Sequence, residues 1–356
     1  MSTAAIVSLD RSEEGYTDRS SEFISSPLPE WIWSDVERLY QSVFSSRVML
    51  EKPELIGSLL YAWVERNEQQ ITDILLFRND GCTTRVANEV ITLSSGVIER
   101  FSKAIFLNYP TIQFIRLHSI KLQSELKKIA AFKSEFSEDY VLTLPASKER
   151  WLASLSSRTR ERLRMYVRQA IDAKNSISLS ISQRDEIDES DVRYLLKLNQ
   201  DRMQQKGKSY GISADEEDQI YRQLNIVGYL FLLKKNDQIC AGLLCSVVGN
   251  DIYMHVLAHD TKYDALRLGW VCCYQAVEHL ISENFQRIHF LWGHYDYKKK
   301  MGAKPIELYR VLIFRSLIRS WLHPKILIQW VFEACRDKAR KNRHRLVEYR
   351  INFGYG

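Results

Sequence analysis

One short stretch of the chain concentrates side chains that bind ligands and exchange protons. Residues 293–302, GHYDYKKKMG, follow the apolar run IHFLW, which is typical of a buried strand. The stretch supplies an imidazole, a carboxylate, a phenol and an ammonium group, on His294, Asp296, Tyr297 and Lys298. Because ligands of open α/β sheets bind beyond the carboxyl ends of the strands, the stretch predicts a functional site. The alternative is a solvated, lysine-rich start of a helix.

Three further groups of residues are candidates for binding or proton transfer. His255 stands in the apolar strand DIYMHVLAH, where it is either a general base with a pKa near neutrality or a hydrogen-bonded core residue. Asn199 and Arg202 lie three residues apart on a predicted helix and share one face. They are either substrate contacts or surface residues. The helix that follows DIYMHVLAH begins with four residues whose backbone N–H groups suit an anion: Arg267, Leu268, Gly269 and Trp270.

Composition limits the class of protein. The 356 residues exceed what one hydrophobic core usually serves, so two domains are expected. Of the formal charge of +6, residues 336–350 carry seven Lys/Arg against two acids, which leaves 6 − 5 = +1 for the rest. A nucleic-acid partner is not expected, because phosphate binding requires a basic face.

Sequence motifs exclude several other classes. The chain has no GxSxG elbow, P-loop, HExxH motif or zinc-ligand spacing, so we expect no metal. The six cysteines form no CxxC pair, the N-terminus lacks a signal-peptide pattern, and no apolar run reaches membrane-spanning length. These features together predict a cytoplasmic protein.

Hydrophobic periodicity predicts an α/β protein whose first half comprises residues 29–136. Residues 1–28 precede it as a leader, and their seven serines and five acids predict disorder. Helices are expected in DVERLYQSVF, ELIGSLLYAWVERN and VIERFSKAIFL, and strands in QITDILLFRN, TRVANEVITL and TIQFIRLHSI.

The second half is predicted to follow a joining segment, residues 137–175, made of a short strand and a helix that Ser147 caps. Residues 176–315 are then predicted to form strands and helices in the order β-α-α-β-β-β-α-β-α-β. Residues 316–356 are expected to form amphipathic helices and a basic tail.

This order of elements resembles the GNAT acyltransferase fold, in which a parallel strand pair splays apart to admit an acyl thioester. The segment YVLTLPASKERWLASLSSRTRERLRMYVRQA resembles the domain-joining segment of the CelD/BcsL-like acetyltransferases, which are related to the FemAB-type transferases. Gly293 followed by Tyr297-Lys298-x-x-Met301-Gly302 is similar to the tyrosine-lysine motif of these families. The resemblance spans roughly residues 30 to 315 and implies two tandem GNAT-like domains, mixed sheets flanked by helices, joined by a helix.

The resemblance also implies a function, acyl transfer from acetyl-CoA or another acyl-CoA to a sugar or polysaccharide precursor. The pyrophosphate of the donor would bind the helix start at residues 267–270. Leu266 and Val271 depart from the family pattern there, and only Gly269 is in register.

Roles for the remaining candidates follow from the needs of acyl transfer. Tyr297 would protonate the leaving thiolate, and His255 or His294 would act as base. Lys298 would fix a carboxylate or phosphate, and Asp296 would orient the lysine or an incoming amine. The residues expected to touch the acceptor are Asn199, Arg202, His294 and Asp296.

Two other functions fit the same residues. A FemAB-like enzyme would take its acyl group from aminoacyl-tRNA, but such enzymes commonly carry a long coiled-coil arm, and no heptad run of that length occurs in this sequence. The altered pyrophosphate motif also permits a catalytically silent GNAT-fold scaffold in a surface-polysaccharide system. Separately, the tryptophans and basic residues of 316–356 suit either packing on the second domain or weak peripheral contact at the inner face of a membrane.

Overall fold

The computed structural model describes residues 8–9, 19–51, 59–172, 175–205, 207, 212–293 and 295–353. The chain divides into two compact units. The first comprises residues up to 138 and from 306 onward, and the second comprises residues 139–305. Each unit contains a mixed sheet flanked by helices, which confirms the predicted fold class.

Strands and helices are interspersed along the described chain. In chain order the strands are β1 Ser8–Leu9, β2 Arg19–Ser25, β3 Tyr61–Asn67, β4 Gln70–Asp80, β5 Thr83–Val86, β6 Thr92–Leu93, β7 Phe114–Leu122, β8 Ala131–Thr143, β9 Ser178–Gln183, β10 Gly228–Lys235, β11 Gln238–Val248, β12 Asp251–His259, β13 Arg287–His289 and β14 Lys304–Phe314. The α-helices are α1 Glu30–Tyr40, α2 Arg47–Leu50, α3 Ser95–Asn108, α4 Lys148–Ser154, α5 Ser157–Ile171, α6 Glu189–Gln205, α7 Ala214–Val227, α8 Leu268–Ser282, α9 Asp296–Lys300, α10 Leu317–Ser320 and α11 Pro324–Phe353.

The sheet of the first unit runs β1-β2-β3-β4-β5-β7-β14, and β6 also pairs with β7. Neighbours are antiparallel except at the β5–β7 and β6–β7 pairs. Helix α3 covers one face of this sheet and α1 the other, so the central strands are buried on both sides.

Three expectations for the first unit are wrong. TRVANEVITL, expected as one strand, forms β5 and β6, which are separated by residues 87–91 outside any strand. YAWVERN forms strand β3 and not the end of a helix, because Trp63 packs on one face of the sheet while Ala62 and Val64 pack on the other. A strand buried on both faces shows no polar alternation, so its sequence is easily mistaken for a buried helix. Residues 19–25 of the expected disordered leader form β2, which pairs with β3 along its whole length. Residues 1–7 and 10–18 lie outside the described part of the chain.

The sheet of the second unit runs from the end of β8 through β13, β12, β11 and β10 to β9. All neighbours are antiparallel except β12 and β13. Helix α8 packs on one face, and α6 and α7 pack on the other. The left-handed residues Asn236 (φ 48°) and Asp237 (φ 62°) form the tight turn between β10 and β11. The predicted order of elements in this half is confirmed.

The segment between the halves belongs to the second unit. Ser147 caps α4 as predicted, by accepting a hydrogen bond from the Arg150 N–H at 3.3 Å. A second cap, Ser156, starts α5, so the expected single helix is two helices. The buried indole of Trp151 donates to the Met301 carbonyl at 3.0 Å, which ties α4 to the C-terminal end of the unit. The boundaries therefore fall at 138/139 and 305/306 and differ from the expected 136/137 and 315/316.

Within the described ranges, the structure contains no helix that is both long enough and apolar enough to cross a bilayer.

Candidate active site

The parallel pair β12–β13 separates after three residue pairs. Tyr253 is the last residue of β12 that pairs with β13, opposite His289. Beyond this point β12 continues to His259, whereas the chain after β13 turns away through Leu291, which is left-handed at φ 57°. The predicted gap between the two strands is therefore present.

A cavity of about 430 Å³ occupies the gap. Its walls come from α6, β11, β12, the start of α8 and the segment after β13. The residues that line it are Asn199, Arg202, Met203, Leu243, Met254, His255, Val256, Leu257, His259, Gly269, Trp270, Phe290, Leu291, Trp292, Tyr295, Tyr297 and Lys298. None of these lining residues carries a carboxylate, so the fixed charges of the cavity wall are positive.

His255 lies at a β-bulge in the cavity wall. Leu244 of β11 is opposite Val256 and Cys245 is opposite Met254, so His255 is the extra residue on β12. Bulges redirect side chains and are frequent beside active sites. The bulge interrupts the ladder between β12 and β11, which is the edge of β12 away from the gap.

The environment of His255 sets its protonation. Its Nε2 lies 3.0 Å from the Ser246 hydroxyl, which also accepts a hydrogen bond from the Gln223 amide at 3.0 Å. Burial lowers the pKa of His255 to about 4. The expectation of a pKa near neutrality is therefore wrong, and the imidazole is neutral at physiological pH.

Tyr297 stands on the first turn of α9, at the mouth of the gap. Its ring makes edge contacts with Trp270 and Phe290, at centroid distances of 6.2 and 6.1 Å. Burial, followed by the nearby Cys273 thiol, raises the pKa of the Tyr297 phenol above its ordinary value. The phenol therefore stays protonated and can donate a hydrogen bond or a proton.

Lys298 is almost completely buried, with 2% of its surface exposed. Its ammonium donates to the carbonyls of Leu291 at 3.0 Å and Trp292 at 2.8 Å. These bonds fix the left-handed turn that carries the chain away from β12. Burial lowers the pKa of Lys298 to about 8, partly opposed by the Asp139 carboxylate. The ammonium thus stabilises the cavity wall, and the expected contact with a substrate anion stays a prediction.

The start of α8 only partly fits the predicted anion site. Gly269 and Trp270 line the cavity, whereas Arg267 is exposed and the Leu268 side chain is buried in the core. Arg267 is the N-cap in a left-handed conformation, and its carbonyl accepts from the Trp270 N–H at 2.8 Å. Of the first-turn N–H groups, those of Leu268 and Gly269 lack intrahelical partners by the geometry of a helix. Backbone groups, and not the Arg267 side chain, therefore face this end of the cavity.

Asn199 and Arg202 lie together on the helix α6, as predicted. One Nη of Arg202 donates to the Leu257 carbonyl at 3.0 Å and to the Asn199 side-chain oxygen at 3.3 Å. The Nε of Arg202 is buried and has no hydrogen-bond partner among the described residues. Burial lowers the pKa of Arg202 from its very high ordinary value. The guanidinium is a cation whose bonds go to neutral oxygens.

Asp296 is not among the residues that line the cavity. Asp296 is exposed and forms an ion pair with Lys300 one turn along α9. His294 lies outside the described residues. Of the predicted site residues, the structure brings seven to the cavity: Asn199, Arg202, His255, Gly269, Trp270, Tyr297 and Lys298.

A buried polar cluster beneath the cavity escaped the sequence analysis. His289 of β13 lies 2.7 Å from Asp139 and 3.2 Å from Asp251, and its ring stacks on Tyr253 at 4.2 Å. Arg287 also binds Asp251 at 2.9 Å. The cluster joins β8, β12 and β13 at the last paired residues before the gap. The histidine in RIHFLW was the available signal, but its partners are distant in sequence.

Comparisons with known proteins agree with this geometry. Residues 157–299 match the family described as Acetyltransferase (GNAT) domain. No curated protein matches the chain. Among solved structures, the crystal structure of FemX aligns with a TM-score of 0.62 and 11% identity, over 83% of this chain and 99% of FemX.

Two further structures align at lower similarity. A tandem GNAT protein from the clavulanic acid biosynthesis pathway has a TM-score of 0.45 and 12% identity, over 82% of this chain and 98% of that protein. L-PGS from Bacillus licheniformis has a TM-score of 0.45 and 10% identity, over 72% of this chain and 85% of that protein. The expected GNAT fold is confirmed by the domain match, and the specific CelD/BcsL-like resemblance stays a prediction.

Proposed function

We propose that this protein transfers an acyl group from an acyl-CoA to a hydroxyl or amino group of a sugar or polysaccharide precursor. One observation carries the proposal. Strands β12 and β13 part beyond Tyr253, and the cavity in the gap brings the start of α8 and the phenol of Tyr297 together.

The donor would enter from the side of α8. Unsatisfied N–H groups at a helix start and the helix dipole favour a pyrophosphate there. Gly269 leaves this wall without a side chain. The pantetheine would extend between the separated strands, where backbone N–H groups on the open edge of β12 polarise the thioester carbonyl. The bulge at His255 lies on the other edge of β12, in the ladder with β11.

The chemistry requires two proton transfers. The acceptor oxygen or nitrogen attacks the thioester carbon, and neutral His255 takes its proton directly or through a water molecule. As the tetrahedral intermediate collapses, the C–S bond breaks and the thiolate receives a proton from Tyr297. The phenol recovers its proton from solvent through the mouth of the cavity, and the His255 imidazolium, whose pKa is low, releases its proton to solvent. The raised pKa of Tyr297 keeps the proton in place until the thiolate forms.

The wall opposite α8 favours an acceptor that carries an anionic group. Arg202 presents a partly buried guanidinium whose hydrogen bonds go to neutral oxygens, and no lining residue supplies a carboxylate. A carboxylate or phosphate on the saccharide would bind such a guanidinium in a bidentate manner. A polycationic acceptor would meet like charge in the same place.

Calorimetry and thermal shift with acetyl-CoA test the proposal, with free CoA as the reference ligand. We expect heat and a raised unfolding temperature with both ligands. Thiol release with saccharide acceptors then measures turnover, and mass spectrometry of a co-purified ligand identifies the natural donor. Neither heat nor a thermal shift with acetyl-CoA would refute the proposal in favour of a silent scaffold.

A further inference from the structure

The first unit exposes a group of large apolar side chains near the C-terminus. Seven residues of α10, the following turn and the first turns of α11 are 51 to 85% exposed: Leu317, Ile318, Trp321, Leu322, Ile328, Val331 and Phe332. We call this group the C-terminal apolar surface. Single exposed apolar residues are ordinary, but a concentration of this kind marks an interaction site.

The opposite side of α11 is already packed within its own unit. Trp330 is 5% exposed and packs with Phe114, Leu312 and Phe314. Ile328, Val331 and Phe332 are spaced so that they share the other side of the helix. The contacts of its inner side therefore fix the orientation of α11. The exposed residues take no part in that packing.

Two acidic residues of α11, Glu333 and Asp337, also point inward. Glu333 accepts from Arg116 at 2.6 Å and from Arg310 at 3.3 Å. Asp337 is 2% exposed and lies 2.8 Å from Arg310. Both carboxylates are thus used within the first unit, and neither adds negative charge to the exposed side of the helix.

The sequence around this surface carries a net positive charge. Residues 315–332 contain three Lys/Arg and no acid, and residues 336–350 contain seven Lys/Arg and two acids. The side chains of Lys325, Arg336 and Lys338 are exposed. A second copy of this chain would bring like charges together in a two-fold contact, which disfavours a homodimer at this surface. Apolar and aromatic residues bordered by cations are instead complementary to an anionic lipid surface.

We propose that the C-terminal apolar surface docks this protein on an anionic bilayer, with Trp321 and its apolar neighbours inserted at the headgroup boundary and the basic residues on the phosphates. The surface lies in the first unit and the proposed transfer site in the second, so the two proposals do not depend on each other.

Vesicle co-sedimentation of the full-length protein tests this inference. Phosphatidylcholine vesicles with roughly one third phosphatidylglycerol should bind the protein, and phosphatidylcholine alone should bind it weakly. The double variant Ile318→Ser/Trp321→Ser should bind the anionic vesicles at least about tenfold more weakly, because two inserted side chains are lost. Both positions are exposed, so the unfolding temperature should not change.

Leu107→Ser is the matched control, since Leu107 lies in the same unit on α3 and is 74% exposed. Its binding should equal that of the unchanged protein. Failure of the anionic vesicles to bind, or equal weakening by the control, would overturn the proposal. So would sedimentation equilibrium showing a dimer that the double variant converts to a monomer without any vesicle binding, because the surface would then be a subunit interface.

Discussion

The buried ammonium of Lys298 should make the stability of the protein depend on pH in a defined direction. The pKa is about 8 in the folded protein, against an ordinary 10.5. Between these values the unfolded chain holds the proton and the folded protein does not. The free energy of unfolding therefore rises with pH across this window, and this contribution is lost as the pH falls through 8.

The size of the effect follows from the two pKa values. They differ by about 2.5, and each tenfold change in proton affinity corresponds to about 1.4 kcal/mol, which gives about 3 kcal/mol in total. Roughly 2.5 kcal/mol of this should be expressed between about pH 7 and about pH 10. The small exposed fraction of Lys298, 2%, means that solvent screening is slight.

The perturbation is Lys298→Met, which keeps the length of the side chain and removes the titrating group. The variant should lose about 1 to 3 kcal/mol near neutral pH because the carbonyls of Leu291 and Trp292 lose their donor. It should also lack the rise in stability with pH.

Urea unfolding of both proteins at several pH values, followed by tryptophan fluorescence, gives the difference between the two curves. Lys299→Met, at an exposed position on the same helix, is the control and should follow the unchanged protein. Parallel curves for the unchanged protein and Lys298→Met would refute the reasoning.

Three further predictions concern the proposed transfer reaction. Tyr297→Phe should lower kcat by about 10²- to 10⁴-fold, the usual contribution of a general acid. Titration calorimetry should find the Kd for acyl-CoA nearly unchanged. Equal losses in turnover and in acyl-CoA affinity would contradict the assigned role. Gly269→Trp should raise the Kd for acyl-CoA by at least about tenfold. The control Gly269→Ala should bind acyl-CoA normally, since the alanine Cβ would meet His259 and Leu257 only at 3.6 and 3.8 Å. Because the pKa of His255 is about 4, the profile of kcat against pH should show no inflection from this residue between about pH 5.5 and about pH 8. An inflection in that range that disappears in His255→Gln would show that the imidazole is less buried than the structure indicates.

Local sequence was sufficient for much of the second unit. The order of elements predicted over residues 176–315 and the Ser147 cap each depend on residues within a few positions, and both predictions are confirmed. Tyr297 and Lys298, which their spacing after the strand had singled out, both line the cavity. In the first unit the prediction from sequence failed at YAWVERN. Burial on both faces of a sheet leaves no alternation of apolar and polar residues, and this alternation is what distinguishes a strand from a helix.

The electrostatic character of the site depends on tertiary structure. The sequence indicated that His255 and Lys298 are ionisable, but only the packed protein determines how far each is from water and hence the direction of its pKa. The cluster of Asp139, Asp251 and His289 joins residues up to 150 positions apart, and no local pattern encodes such a pairing. In the second unit the sequence therefore determined the order of elements and which reactive groups stand at their ends. Tertiary structure decided where β12 and β13 separate and which groups are buried, because both depend on contacts between residues distant along the chain.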